Sequence, residues 1–382
     1  MELTARVLPS FAAFKQEQWE QLDRADNPFL SYAFLAGLES TGSIGAESGW
    51  TPYHLGVFEG EHLLAAAPTY AKYNSHGEFV FDWAWADAYQ RNGLSYYPKL
   101  LTGVPYTPVS GPRLLVRKGT ENVAELKQAL ANLAMQACRE QGFSTWHCNF
   151  VNDDDFAVLD NKQLLRRRDW QFHWSNEGYR DFDHFLEQLR SRKRKSIRRE
   201  RRRVHESGIS FYWKAGHELS DAELRFVHDC YIDTFRNYGN YPALKPEFFE
   251  HIARELKDGF QVVFASTEGE NIAMAVFLSG GGRLYGRYWG CKRDVPGLHF
   301  ETSYYQGIEF CISNGIEVFE SGAQGEHKIG RGFVPNRTRS CHHVEHPTFR
   351  QAISDHLERE KAWIDEYREK LDEMDPYRRD EQ

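Results

Sequence analysis

The chain has no CxxC motif and no closely spaced cysteine pair. Its six cysteines, Cys138, Cys148, Cys230, Cys291, Cys311 and Cys341, are scattered, which argues against a disulfide framework or zinc ribbon and for reduced, mostly buried thiols. It also lacks the ~18 uninterrupted apolar residues that a bilayer crossing needs, so no membrane insertion is expected. The opening MELTARVLPSFAAFKQEQ has no basic region followed by an apolar run, does not read as a secretory signal, and points to the cytoplasm. Net positive charge is missing as well. A formal charge of −8 gives no global pull toward nucleic acid or anionic membrane, with one local exception.

What is present suits a globular protein: 382 residues, 41% hydrophobic, 27% charged and 14% aromatic. That length exceeds what one core usually supports and predicts two domains. Ser10 is placed to cap a helix through about Arg24, and a second helix after Asn27-Pro28 carries Phe34, Leu35 and Leu38. YHLGVFEGEHLLAAAPTYAKY reads as a hairpin reversing at Glu59-Gly60-Glu61. Phe79 to Val116, dense in Trp, Tyr, Pro and Gly, predicts irregular strand and loop. Val123 to Glu140 has a helical apolar stripe stopped by Gly142, and STWHCNF follows as a strand.

The second half predicts a basic helix from Phe182 to about Glu206, a strand at Ile209–Trp213, and two more helices. FQVVFAS, NIAMAVFLSG and RLYGRYWGC then form a three-strand meander, followed by a helix from about Phe300 to Asn314 and the strand IEVFESG. From Thr348 an amphipathic stripe predicts one long terminal helix that packs on the body, with MDPYRRDEQ fraying. The fold class is therefore α/β (α+β), with domains over 1–178 and 179–347 and a terminal helix and tail over 348–382. Each domain has a mixed, mainly antiparallel sheet flanked by helices in acetyltransferase-like order, and an internal structural duplication accounts for the repeated theme. A monomer or homodimer is expected.

Five segments in order, NPFLSYAFLAGLE, GWTPYHLGVFEGEHLLAAAPTYAK, YYPKLLTGVPYTPVSGPRLL, RSRKRKSIRRERRRV and GAQGEHKIGRGFVPNRT, resemble the FemAB-like predicted N-acyltransferases, also described as peptidoglycan biosynthesis or recognition proteins. The resemblance runs from about Asn27 through the acidic tail. It implies tandem acetyltransferase-fold (GNAT) domains and an acyltransferase that moves an acyl or aminoacyl group from an activated donor to a small-molecule or peptide amine by direct attack. Relatives in the wider superfamily transfer aminoacyl groups from tRNA to a cell-wall precursor peptide. The alternative is a binding module that recognises an anionic cell-wall precursor or RNA without catalysis. No tightly bound cofactor is expected. KRDVPGLHFETS lacks the Gly-rich pyrophosphate loop of ordinary acetyltransferases, so the donor classes are acyl-CoA, acyl carrier protein and aminoacyl-tRNA, with the last two favoured.

Amide formation needs a neutral amine, a polarised carbonyl and a proton acceptor. The densest polar cluster is Glu320, Gln324, Glu326, His327, Lys328 and Arg331, just after a strand, where substrates of open sheets tend to sit. Glu326, His327 and Glu320 are the catalytic candidates, and Lys328 and Arg331 candidates for holding a carboxylate or phosphate; a salt-bridge network in a Gly-rich turn is the plain alternative. Arg287, Trp289, Glu301 and Tyr304 are further substrate-binding candidates. Arg287 has an alternative as a buried partner of Glu301 or Glu320, and Glu301 as a helix-dipole residue. Asp82, Trp83, Tyr106 and Arg113 are candidates for an acceptor groove in the first domain, or core.

The segment from Arg190 to Arg203 contains one acid, Glu200. Arg192, Lys193, Arg194, Lys195, Arg198, Arg199 and Arg202 are therefore expected to meet an anionic partner, tRNA or an acidic carrier protein, with the chain's own acidic tail as the internal alternative. Cys341, His342, His343 and His346 are too irregularly spaced for a metal site, and none is expected.

Overall fold

The computed structural model describes residues 3–160, 163–323 and 325–378. The chain forms two compact units, one of residues 1–169 and 337–367 and the other of 170–336 and 368–382. Both are discontinuous, unlike the contiguous 1–178, 179–347 and 348–382 expected. The chain passes from one unit to the other inside two long strands and again inside the last helix.

In the first unit β1 (Leu3–Leu8) precedes a single turn at Phe11–Ala13 and the short α1 (Gln16–Trp19). The expected long helix from Ser10 does not form. Ser10 caps only the first turn, because Phe11, Phe14 and Trp19 turn inward as one ring cluster and the Ser10 hydroxyl and Phe11 amide both bond to Glu39. There follow α2 (Tyr32–Ser40), β2 (Trp50–Pro52), the hairpin β3 (His54–Glu59) and β4 (His62–Ala67), and β5 (Thr69–Lys72). The region expected to be irregular contains α3 (Trp83–Arg91) and β6 (Lys99–Thr102), before β7 (Leu115–Val116). Trp85 and Tyr89, one helical turn apart, are both buried. Next come α4 (Val123–Gln141), ended by Gly142 at φ 75°, then β8 (Thr145–Asn149), α5 (Asp153–Val158) and β9 (Leu165–Ser175).

In the second unit α6 (Phe182–Gln188) and α7 (Ser191–Glu206) replace the single basic helix expected. The break at Leu189-Arg190 is stabilised by the carboxyl-terminal segment: the Arg190 amide donates to Pro376 O at 2.9 Å and the Arg378 amide to Gln188 O at 2.9 Å. The tail expected to fray is thus docked through Arg378, and its last residues lie outside those described. Then come β10 (Ser210–Ala215), α8 (Asp221–Asn237), α9 (Pro246–Leu256), β11 (Phe260–Thr267), β12 (Glu270–Gly280) and β13 (Arg283–Cys291). After these come α10 (Leu298–Phe300), a wide π-type turn at Glu301–Tyr305, α11 (Gln306–Asn314) and β14 (Val318–Glu320). β15 (Val334–Val344), which sequence reading did not place, and α12 (Pro347–Glu373) complete the chain.

The first unit pairs β1-β3-β4-β7 as one antiparallel sheet and β15-β8-β6-β5-β2 as another, with β6 and β8 parallel. Leu126, Leu130 and Ala134 of α4 pack on Leu55, Val57 and Trp146 as its core, and Ile353 and Leu357 of α12 pack on Trp85, Tyr89 and Tyr96. The second unit pairs β10-β11-β12-β13-β14-β9, antiparallel except for β13 and β14. Those two pair in parallel only from Arg283–Tyr285 to Val318–Glu320. β14 then ends while β13 runs on to Cys291, so from Gly286 the β13 edge that faced β14 has no strand partner among the described residues.

Candidate functional site

After β14 the chain forms a tight turn at Glu326–Arg331. Gly322, Gly325 and Gly332 adopt φ of 92°, 122° and 96°, so these glycines serve the backbone path of the turn. The turn walls a cavity of about 360 Å³ within the second unit, whose lining includes Lys193, Ser196 and Glu200 of α7, Tyr305, and Glu326, His327 and Arg331. Lys193, Ile197, Glu200 and Val204 fall at helical spacing, with Ile197 and Val204 buried, so the stripe that seats α7 also carries Lys193 and Glu200 into the cavity wall.

Glu326 and His327 are exposed on this wall. The His327 Nε2 lies 3.1 Å from the Tyr304 hydroxyl, and Tyr304 is itself buried. Burial, with Arg331 and Lys328 nearby, holds the His327 imidazole below its usual pKa, so it is neutral at neutral pH. Arg331 is buried, pairs with Glu200 at 3.0 Å, donates to His327 O at 2.8 Å and stacks on Phe300 at 3.5 Å. The Tyr305 hydroxyl donates to the same Glu200 carboxylate. Lys328 lies outside the cavity lining. Its buried ammonium donates to Ser321 O and Gly322 O, each at 2.9 Å, and pairs with no carboxylate among the described residues; burial lowers its pKa to about 7. It therefore braces the end of β14 rather than presenting a charge to an anion. Gln324 is outside the described residues.

Other candidates are committed elsewhere. Glu320 is buried against Arg283 at 2.8 Å, and Glu301 is fully buried, bound to Arg201 at 2.9 Å with Glu309 on the other side of the guanidinium. Neither is in the cavity wall. Arg287 and Trp289 lie on β13, where Arg287 stands over the Tyr288 ring at 5.3 Å and Trp289 meets His299 edge-on at 4.8 Å. The Trp289 Nε1 is buried without an acceptor among the described residues. Sequence reasoning missed Glu200, Ser196 and Tyr305 as cavity residues. The signal was available for Glu200, a lone acid in a cationic helix on its apolar stripe.

Along α7, Arg198 pairs with Asp183 at 2.8 Å and Arg202 approaches Glu206 at 3.8 Å, both exposed contacts of small worth. Arg192, Lys193, Arg194, Lys195, Arg199 and Arg203 enter no ion pair among the described residues. The acidic tail does not supply these partners where its pairs are seen: Glu360 binds Arg167 in two bonds of 2.6 and 2.7 Å, and Asp372 binds Arg368.

The acceptor-groove candidates of the first unit split. Trp83 is exposed and Tyr106 half-buried against Trp50 at 5.5 Å. Arg113 is buried and donates to backbone carbonyls, including Asn149 O at 2.9 Å, as part of the core. Asp82 is buried in a charged network. Lys99 donates to Asp82, to Glu78 at 2.7 Å and to Ser75 at 2.9 Å, and the Tyr96 hydroxyl donates to Asp82 at 2.6 Å. Burial alone would raise the Asp82 carboxyl, yet Lys99 holds it below the usual carboxylate range; burial pushes Glu78 up to about 7. His147 contacts His342 at 2.8 Å, and burial keeps both neutral. Among the described residues no group of three or more His, Cys, Asp or Glu is placed to hold a metal ion, and no helix is long and apolar enough to cross a membrane.

The family described as FemAB-like, peptidoglycan biosynthesis/recognition, matches residues 10–379. The chain belongs to the FemAB-like family. Each of its two units carries a mixed or antiparallel sheet flanked by helices. Similar folds among solved structures include FemX (TM-score 0.53, 10% identity, covering 93% of this chain and 100% of that one). Another is the carboxyl-terminal domain of a protein described as a lysylphosphatidylglycerol synthetase from Agrobacterium fabrum (0.55, 10%, 91% and 97%). A third is L-PGS from Bacillus licheniformis (0.51, 10%, 84% and 95%). At such identities these likenesses concern the fold of the FemAB-like chain alone. No curated protein matches it.

Proposed function

We propose that this FemAB-like chain is a cytoplasmic N-acyltransferase, moving an acyl or aminoacyl group from an activated thioester or ester to an amine by direct attack. The observation that carries this reading is the position of the Glu326–Arg331 turn: it follows a parallel strand end and puts a neutral imidazole on the wall of a cavity. The amine nitrogen attacks the donor carbonyl carbon, the C–N bond forms, and the C–S or C–O bond breaks with its electron pair going to the leaving thiol or hydroxyl. His327 takes the amine proton and passes it to the leaving group, its ring oriented by Tyr304. The open β13 edge from Gly286 supports an extended donor lying beside it, where strand amides can polarise the carbonyl.

The unpaired cations of α7 support a donor carried on an anionic macromolecule. They also favour the second reading, a non-catalytic module that recognises an anionic cell-wall precursor or RNA. A single-turnover assay separates the two, using labelled acyl-CoA, acyl carrier protein and aminoacyl-tRNA against a pool of amines. Transfer by the wild type that falls ~10²–10⁴-fold in His327→Ala supports catalysis. Thermal stabilisation by an acceptor, with no donor bound and no product, replaces it with the recognition reading.

A further inference from the structure

The cavity beside the turn carries more polar structure than proton acceptance requires. About 360 Å³ lies at the low end of the ~300–1,000 Å³ typical of ligand pockets, so its occupant is small. Two cations, Lys193 and Arg331, and two carboxylates, Glu200 and Glu326, line it. That balance opposes a phosphate dianion and is wasted on an apolar ligand; it complements a group that is itself dipolar.

The charges are unequally committed. Arg331 and Glu200 compensate one another, and the Arg331 Nε, which has no acceptor among the described residues, is buried away from the cavity space. Lys193 has no ion pair there either, and its ammonium stands 3.4 Å from where a Cβ on Gly330 would lie, which places it beside the turn. The half-buried Lys193 ammonium is thus a cation on the cavity wall free to donate a charge-assisted hydrogen bond to an arriving anion. Glu326 and His327 lie side by side on the same lining.

We propose that this cavity binds the acceptor as a zwitterion, a free amino acid or short peptide, with its carboxylate on Lys193 and the Ser196 hydroxyl, and its α-amine beside Glu326 and His327. The inference rests on the acyltransfer reading and names the acceptor class. The ammonium first releases one proton to solvent, the neutral α-amine is then the nucleophile, the proton it sheds on attack goes to His327 as above, and the carboxylate stays fixed throughout. Acylation removes the positive charge that Glu326 attracts, which favours release of the N-acyl product.

Calorimetric titration of the full chain, without any donor, tests this with glycylglycine, N-acetylglycylglycine and glycylglycinamide. Glycylglycine binds, and either cap weakens binding about ten-fold or more, the size expected from losing a charge-assisted hydrogen bond. Lys193→Ala weakens glycylglycine and leaves glycylglycinamide unchanged, whereas Glu326→Gln weakens glycylglycine and leaves the N-acetyl form unchanged. Glycine as a further probe tells whether a free amino acid suffices. Capped forms that bind as well as the parent, or inorganic phosphate that binds more tightly than glycylglycine, overturn the proposal. Loss of turnover with glycylglycine binding intact counts against acyltransfer alone; equal turnover of amines that lack a carboxylate counts against this inference alone.

Discussion

Both units bury charge, and they do so in opposite ways. In the first, Lys99 is enclosed by Glu78, Asp82 and Ser75, with Tyr96 and His147 around them, and its side chain is fully buried. In the second, Lys328 is buried with only carbonyl partners, Arg331 has an unmet Nε, and Lys193 lines a cavity without an ion pair among the described residues. A cation fully compensated by buried carboxylates acts as scaffold, even with Glu78 Oε1 left without a hydrogen bond among the described residues; an uncompensated cation beside a cavity retains binding capacity. The same residue types are therefore structural in one unit and candidates for function in the other.

The largest effect that sharpens this comparison is Lys99→Met, which leaves two buried carboxylates without their cation and is expected to cost ~3–5 kcal/mol in urea unfolding. Loss of activity in Lys99→Met without loss of stability would break the comparison, since it would make the closed network functional. Next, His327→Ala should alter stability by no more than ~1 kcal/mol while removing ~10²–10⁴-fold of turnover, read by denaturation and assay on the same preparation.

A smaller effect concerns pH. Lys328 has a folded pKa of about 7 against its ordinary 10.5, so between those values the unfolded chain binds more protons and stability rises with pH. Lys328→Met should flatten that rise in thermal melts from pH 7 to 9, below the range where buried thiols titrate, leaving the part due to Lys72, whose pKa burial also lowers to about 7. A slope unchanged in Lys328→Met would mean the ammonium is solvated. The smallest effect is Lys193→Ala, expected within ~0.5 kcal/mol of wild type, because an ammonium that compensates nothing in the folded chain loses nothing when removed.

How far the fold was legible depended on whether the signal was local. The hairpin over His54–Ala67, the helix ended by Gly142 and the three strands from Phe260 to Cys291 stand where residue periodicity put them. The helix expected after Ser10 failed because ring burial outweighed a good cap, and α3 and β6 were hidden because Trp85, Tyr89 and Lys99 owe their burial to distant neighbours. At the candidate site the turn and the cationic helix were visible as composition, but their meeting was not.

By itself the sequence determined the two-domain α/β class, the family resemblance, the strand meander and the polar turn after β14, since each is written in short-range pattern. Only the tertiary structure decided which charges are spent. Glu301 went to Arg201, 100 residues away, and Glu200 to Arg331, 131 residues away, and such pairings turn on three-dimensional proximity that no local period encodes.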